Sequence, residues 1–344
     1  SLENINLNVH NNSFPSIICA STCSISGGNH KFYNNFLGDP NFWRCRVTHK
    51  GCPKPFLDVY SGINKITNVG VYDLQNINYW HSTYGGTSTA SVLQTLCIYS
   101  DTIRLTNGDY NFSENNLRYT PQDIDSNPSI LNTSLITSNN LFINDSSIIF
   151  NNNINDTSGF SKLANHQYLK APFSTVICNL NKIISSNSTL QFTNNLQRYL
   201  IYQSRDNRRL WTTTQMNIED CSLIFDKNKV LDTLITGYDI SINTNNSIFS
   251  NNANLRTDPN NSLYLNISEE VAGNDPDQKY TMGPQYANGG IISSTKGLSL
   301  SGNLTFINNN VKGAGSVISA NHINLTNTVD AQDILFNNNT TNIL

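Results

Sequence analysis

Gly289-Gly290-Ile291-Ile292, then Leu298 and Leu300, then Leu304-Thr305-Phe306-Ile307-Asn308-Asn309, set out a unit that the chain at once repeats. Gly313-Ala314-Gly315-Ser316-Val317-Ile318 leads to Ile323 and Leu325 and closes on Ile334-Leu335-Phe336-Asn337-Asn338-Asn339, 30 residues further on. A glycine turn, an alternating apolar pair and a closing Phe-x-x-Asn make one rung-sized unit. Units of this size build stacked solenoids, because one unit cannot bury its own apolar face and its neighbours must do so.

The closing motif extends upstream. Phe-x-x-Asn stands at Phe32/Asn35, Phe112/Asn115, Phe150/Asn153, Phe192/Asn195, Phe225/Asn228, Phe249/Asn252, Phe306/Asn309 and Phe336/Asn339. With 15 Phe and 57 Asn in the chain, random placement gives about 2.5 such pairs against the eight present. Aliphatic residues stand seven and nine positions before the Phe, at Leu105/Ile103, Ile143/Leu141, Ile218/Met216 and Ile242/Ile240. Position minus two is Ile148, Leu190, Leu223, Leu304 or Ile334, with Ser247 as the exception. Alternation with period two means strands with one buried face. The spacing between motifs runs 38, 42, 33, 24, 57 and 30 residues from Phe112 onward, so connections of varied length leave a regular core.

The predicted fold is therefore all-β, a right-handed parallel β-helix whose Phe, Leu and Ile side chains stack into one interior, with rungs about 4.8 Å apart. Asn at the corners is expected to adopt left-handed backbone geometry and to form hydrogen-bonded ladders. A β-sandwich with frequent turns is the structural alternative. Residues 1–84 differ from the rest, holding Cys19, Cys23, Cys45 and Cys52, the aromatics Phe32, Tyr33, Phe36, Phe42, Trp43 and Trp80, and Pro40, Pro53 and Pro55. They read as a cap over the first rungs. Residues 85–344 read as the β-helix, interrupted by a long excursion at 253–288 that carries Pro259, Pro276, Pro284, Glu269, Glu270, Asp275 and Asp277.

The order of glycine turn, apolar alternation and Phe-x-x-Asn resembles the polymorphic membrane proteins of chlamydiae. The resemblance is close over Gly289–Asn309 and Gly313–Asn339, partial over about 85–252 and weak before that. It departs from the family's Gly-Gly-Ala tetrapeptide, since Ile291 follows Gly289-Gly290 and Thr87 follows Gly85-Gly86. What it implies is an autotransporter passenger on the bacterial cell surface, outside the cell, with an adhesive role toward a host-cell receptor or glycan. Other envelope proteins, or further copies of the chain, are the alternative partners. Membrane attachment would come only through a C-terminal barrel, which does not follow here. In the family the repeats are linked to host-cell adhesion. Physically, the Phe is a core residue and the Asn a turn residue, so adhesion is expected to reside in the loops.

Composition agrees with a polar exported surface. Charged residues make up 13% and the net charge is −3, which offers no basic stripe for nucleic acid. The opening Ser1-Leu2-Glu3-Asn4 is no signal peptide, and the close directly after a repeat motif reads as a fragment of something longer. Among seven cysteines, the cluster of Cys19, Cys23, Cys45 and Cys52 reads in an exported protein as two disulfides. Zinc is the rival because His49 lies between Cys45 and Cys52, but the spacings are not those of a regular zinc module. Cys97, Cys178 and Cys221 lie in apolar runs and read as small buried residues.

No catalytic, cofactor or metal motif is present, and no enzymatic role is expected. The alternative is a carbohydrate-active β-helix, which needs two carboxylates on one groove. Glu219, Asp220, Asp226 and Asp232 are its candidates. A third reading is a structural surface-layer or fibre subunit. The candidate partner-binding residues are Arg205, Arg208, Arg209 and Trp211, following Arg198, Tyr199 and Tyr202 in the most basic stretch of the chain.

Overall fold

The computed structural model of the chain describes residues 2–11, 13–14, 18–20, 23–33, 36–37, 57–67, 71–75, 78–82, 93–120, 132–156, 173–203, 215–254, 290–312, 317–326 and 333–342. Among these there is no helix, and 28 strands join in one sheet with every pairing parallel. The sheet coils, because each strand pairs with its equivalent in the next repeat. Leu93–Thr106 pairs with Asn132–Asn144, and that with Phe173–Ser186. The fold is thus a solenoid-like parallel β stack.

One coil shows the plan. A long first strand, Asn132–Asn144, pairs with Phe173–Ser186 through a register shift between Ser138 and Asn140, where the partner strand carries one extra residue. A second strand, Ser147–Asn151, buries alternate residues, as period-two patterning requires. A short third strand, Ile154–Asp156, completes the coil. Equivalent residues stack in columns. Phe112, Phe150, Phe192, Phe225, Phe249, Phe306 and Phe336 form one continuous register. Leu105, Ile143, Ser185, Ile218, Ile242, Leu300 and Leu325 form another.

The described strands of residues 1–84 belong to the same stack. Leu7–His10 pairs with Asn29–Tyr33, and that with Val71–Gln75, which meets Asp109–Ser113. Cys19 and Cys23 lie in strands opposite Asp58 and Asn64, but their side chains are not described, and Cys45 and Cys52 lie outside the described residues. The two expected disulfides therefore fall outside the described part of the structure. At the 253–288 excursion, Ala253–Asn254 is still a strand of the stack, pairing with Lys229–Val230, and residues 255–289 lie outside the described residues.

Left-handed backbone recurs at two corners of the coil, although the coil of Ile240–Ser250 has it only at the second. Between the first and second strands it falls at Asn107, Asp145, Asn187 and Asp220, with Gly302 at φ +90° in the same place. Gly302 is obligatory there, since a Cβ would lie 1.9 Å from the Thr244 carbonyl oxygen. Between the second and third strands it falls at Glu114, Asn152, Asn194, Lys227, Asn251, Asn308 and Asn338. Each of these is the residue just before the motif Asn. The left-handed geometry expected of Asn near the corners is thus present, and at this corner it falls on the residue before the motif Asn. The reason is geometric: the left-handed residue points its side chain to solvent, and the next residue then points inward.

Candidate functional site

The repeat motif forms a double spine. The Phe rings stack with centroids 5.1, 4.8, 4.6, 4.8, 4.7 and 4.9 Å apart from Phe112 to Phe336. Phe150, Phe192, Phe225, Phe249 and Phe306 are fully buried. Phe336 departs from the expectation of burial: it stacks on Phe306 but is 43% exposed, being in the last coil of the described residues.

Beside the rings runs the amide ladder of Asn115, Asn153, Asn195, Asn228, Asn252, Asn309 and Asn339. In each step two donors of one coil, the backbone N–H and Nδ2, bond the Oδ1 of the next. For Asn195 and Asn228 both distances are 3.0 Å. Nδ2 also donates back to the Phe carbonyl of the preceding coil, as from Asn195 to Phe150 at 2.9 Å. The inner Asn side chains from Asn153 to Asn309 are therefore saturated, which is how polar groups survive complete burial. Gly290 and Ile291 are also buried, the latter packed in the core, while Gly289 lies outside the described residues. The motif residues are architectural, and none of the inner ones reaches the surface to meet a partner.

A polar groove of about 550 Å³ opens on the outside, at the turn between first and second strands. Asn107, Gly108, Asp109, Asp145, Ser146, Ser147, Asn187 and Thr189 line it. Asn187 Nδ2 donates to Asp145 Oδ1 at 2.6 Å, and the Ser146 backbone N–H to Ser188 Oγ at 3.2 Å. From the sequence, Asn144-Asp145-Ser146 and Asn187-Ser188-Thr189 stand out only as Asn-x-Ser/Thr sequons, which composition explains, and no groove is foreseen there. A signal was present, however: Asn107-Gly108, Asp145-Ser146, Asn187-Ser188 and Asp220-Cys221 each pair an amide or acid with a small residue just before the second strand. Cys221 stands where Ser146 and Ser188 stand in earlier coils. It is buried, donates to the Glu219 carbonyl at 3.0 Å and meets Ser185 Oγ at 3.2 Å. Burial pushes its thiol pKa up. It behaves as a hydroxyl replacement in a turn as much as an apolar filler.

The candidate carboxylates separate. Glu219 is exposed at the end of a first strand and accepts from Asn217 Nδ2 at 2.9 Å. Asp220 is the left-handed turn residue that follows. Asp226 ends the next strand, where Ser250 Oγ and Asn251 Nδ2 donate to its Oδ1 at 2.7 and 2.9 Å. Burial raises its pKa, but these bonds and the Lys227 ammonium outweigh burial and hold it below the usual range. The side chain of Asp232 is not described. Asp226 serves as an acceptor between coils, a role unlike that of a general acid, which needs a raised pKa.

Arg205, Arg208, Arg209 and Trp211 lie outside the described residues, and only the backbone of Arg198 is described. The topology does show where their segment departs. The described strands that flank residues 38–56, 83–92, 121–131, 157–172 and 255–289 are in each case the third strand of one coil and the first strand of the next. Residues 204–214 leave elsewhere, after Gln203 within the first-strand region and before Gln215. The chain matches no family model, and no curated protein and no solved structure matches it.

Proposed function

We propose that the chain is a right-handed parallel β-helix serving as a surface-displayed, adhesin-like rod, a passenger of the autotransporter kind that its sequence resembles. The observation that carries this reading is the shared departure point of five long connections. A solenoid repeats its corners at a fixed spacing, so segments inserted at one corner line up along one edge. A rigid stack thereby presents varied segments side by side, as binding scaffolds do. The saturated Asn ladder and buried Phe column support the same division of labour, because residues fixed by stacking cannot vary to fit a partner. The partner is a host-cell receptor or glycan.

The test is binding of the labelled chain to cultured animal cells. Replacing 255–289 by a short linker, or Arg205/Arg208/Arg209→Ala, is expected to abolish binding while far-UV circular dichroism stays unchanged. Asn194→Ser, at an exposed turn between coils, is expected to bind as before. Loss of binding in Asn194→Ser with full binding by both loop variants would transfer the contact to the coils and reject the proposal.

A second reading, a carbohydrate-active surface, is favoured by the groove at Asn107–Asp109 and Asp145–Ser147, whose lining of amides, hydroxyls and two carboxylates suits a hydroxyl-rich ligand. Cleavage of an oligosaccharide that Asp145→Asn abolishes would establish it over the adhesin.

A further inference from the structure

Asparagine is among the thermolabile residues of a protein. The backbone nitrogen of the next residue can attack its side-chain carbonyl carbon, so its lifetime depends on what holds that nitrogen. At the second corner of the coils the stack holds it. The exposed, left-handed residues Asn152, Asn194, Asn251 and Asn308 each precede a buried ladder Asn. The backbone N–H of that follower donates to the Oδ1 of the next coil, at 3.0 Å for each of Asn153, Asn195, Asn252 and Asn309. The attacking nitrogen is thus tied into the ladder, and it comes free only when the coils open locally.

The first corner is guarded in part. The Ser146 N–H, which follows Asp145, donates to Ser188 Oγ at 3.2 Å. Asn187 is held through its own carboxamide, whose Nδ2 donates to Asp145 Oδ1 at 2.6 Å. Asn107 departs from this pattern. It is exposed, has φ +50° and is followed by Gly108. The Gly108 carbonyl accepts from the Ser147 N–H at 3.0 Å, but the Gly108 N–H makes no hydrogen bond among the described residues. Glycine also has no Cβ to hinder approach of its nitrogen. Asn107 and Gly108 both line the open groove with Asp109 and Asp145, so water reaches them. The other Asn-Gly of the chain, Asn288-Gly289, lies outside the described residues.

We propose that the fold leaves Asn107 open to spontaneous deamidation while it guards the asparagines of the second corner. The Gly108 nitrogen gives its proton to hydroxide and bonds to Asn107 Cγ. The Cγ–Nδ2 bond breaks, and the nitrogen takes a proton from water and leaves as ammonia, closing a cyclic succinimide. Water then opens the ring at either carbonyl, giving aspartate or isoaspartate at position 107. The step is a substitution and a hydrolysis, so it needs no oxidant and no enzyme. The product places a third carboxylate beside Asp109 and Asp145 and makes the groove more negative at neutral pH. The isoaspartyl form also lengthens the backbone at the corner by one methylene. This modification is independent of what the groove or the excursions bind.

The experiment holds the full chain at neutral and at mildly alkaline pH, folded and in parallel unfolded in urea, and follows each site by peptide mapping with mass spectrometry. In the folded chain the expected result is loss of the carboxamide at Asn107, faster at the higher pH, with no loss at Asn152, Asn194, Asn251 and Asn308. In urea the difference between Asn107 and these four should narrow, because the ladder no longer holds their followers. The converted peptide should contain both aspartyl and isoaspartyl forms. An Asn107 that stays intact in the folded chain while it converts in urea overturns the proposal. So does a ratio of rates that is the same folded and unfolded, since the coils would then decide nothing. An aspartyl product alone would mean direct hydrolysis and would remove Gly108 from the reaction.

Discussion

Truncating Asn195 probes the ladder where it is complete on both sides. Its Oδ1 accepts from the Asn153 backbone N–H at 3.0 Å and from Asn153 Nδ2 at 2.9 Å, and its own Nδ2 serves the Phe150 carbonyl and Asn228 Oδ1. Asn195→Ala orphans two buried donors and deprives the Phe150 carbonyl of its amide. At about 1–3 kcal/mol for each of these three unsatisfied buried groups, the loss comes to about 3–9 kcal/mol. That is a large share of the roughly 5–15 kcal/mol by which a domain is stable. Asn195→Asp keeps the shape and exchanges a donor for an acceptor. The carboxylate would face the Phe150 carbonyl and Asn228 Oδ1, both acceptors. Burial there raises its folded-state pKa above the unfolded one. Its damage is therefore greatest at neutral pH and shrinks as pH falls and the acid protonates. The assay is urea denaturation followed by far-UV circular dichroism, at pH 7 and at acid pH, with exposed Lys229→Gln as the control. An Asn195→Ala variant within about 1 kcal/mol of the unmodified chain, or an Asp variant that is no better at low pH, would refute the account of a saturated, dry ladder.

Phe225→Ala, with ring neighbours at 4.6 and 4.8 Å and no exposure, should cost about 3–5 kcal/mol in the same assay, and Phe336→Ala less than half of that because its ring is already part exposed. Lys227 is forced to φ +55° and its ion pair with Asp226 at 3.6 Å is largely solvated, so Lys227→Asn should raise stability by about 0.5–1 kcal/mol; a destabilised variant would mean the pair outweighs the backbone strain. Asp226 has a lowered folded-state pKa, so its contribution is present above the unfolded pKa and is lost as pH falls through the folded one. Asp226→Asn should therefore be less stable at neutral pH by under about 1 kcal/mol, and the gap should close below about pH 4. A gap that widens in acid would show that the carboxylate is not favoured by its partners.

The spacing of Phe-x-x-Asn was enough to read the coils, because a ring that must lie on the same ring of the next coil recurs at one place in every repeat. The ladder was legible for a related reason: only a side chain with both donor and acceptor can serve identical neighbours on either side. Left-handed turns do fall on Asn near the corners, but which of two neighbouring Asn takes that geometry was not legible. Asn308 and Asn309 are alike as letters, and what distinguishes them is which one points inward. Cys221 read as an apolar filler because its serine counterparts, Ser146 and Ser188, become its equivalents only through the coil register. The groove escaped notice for the same reason, since Asn107, Asp145 and Asn187 come from three coils.

The sequence by itself determined the all-β class, the strand period and the identity of the inward columns, since these follow from local alternation and a repeating motif. Tertiary structure alone decided which residues are solvent-facing turns, which carboxylates accept hydrogen bonds between coils, and that five unrelated connections share one junction. It also decided that Phe336, identical in motif to seven buried rings, stands exposed. Each of these depends on what the next coil supplies. A residue's letter fixes the interactions it can make, and stacking fixes whether a neighbour is there to make them.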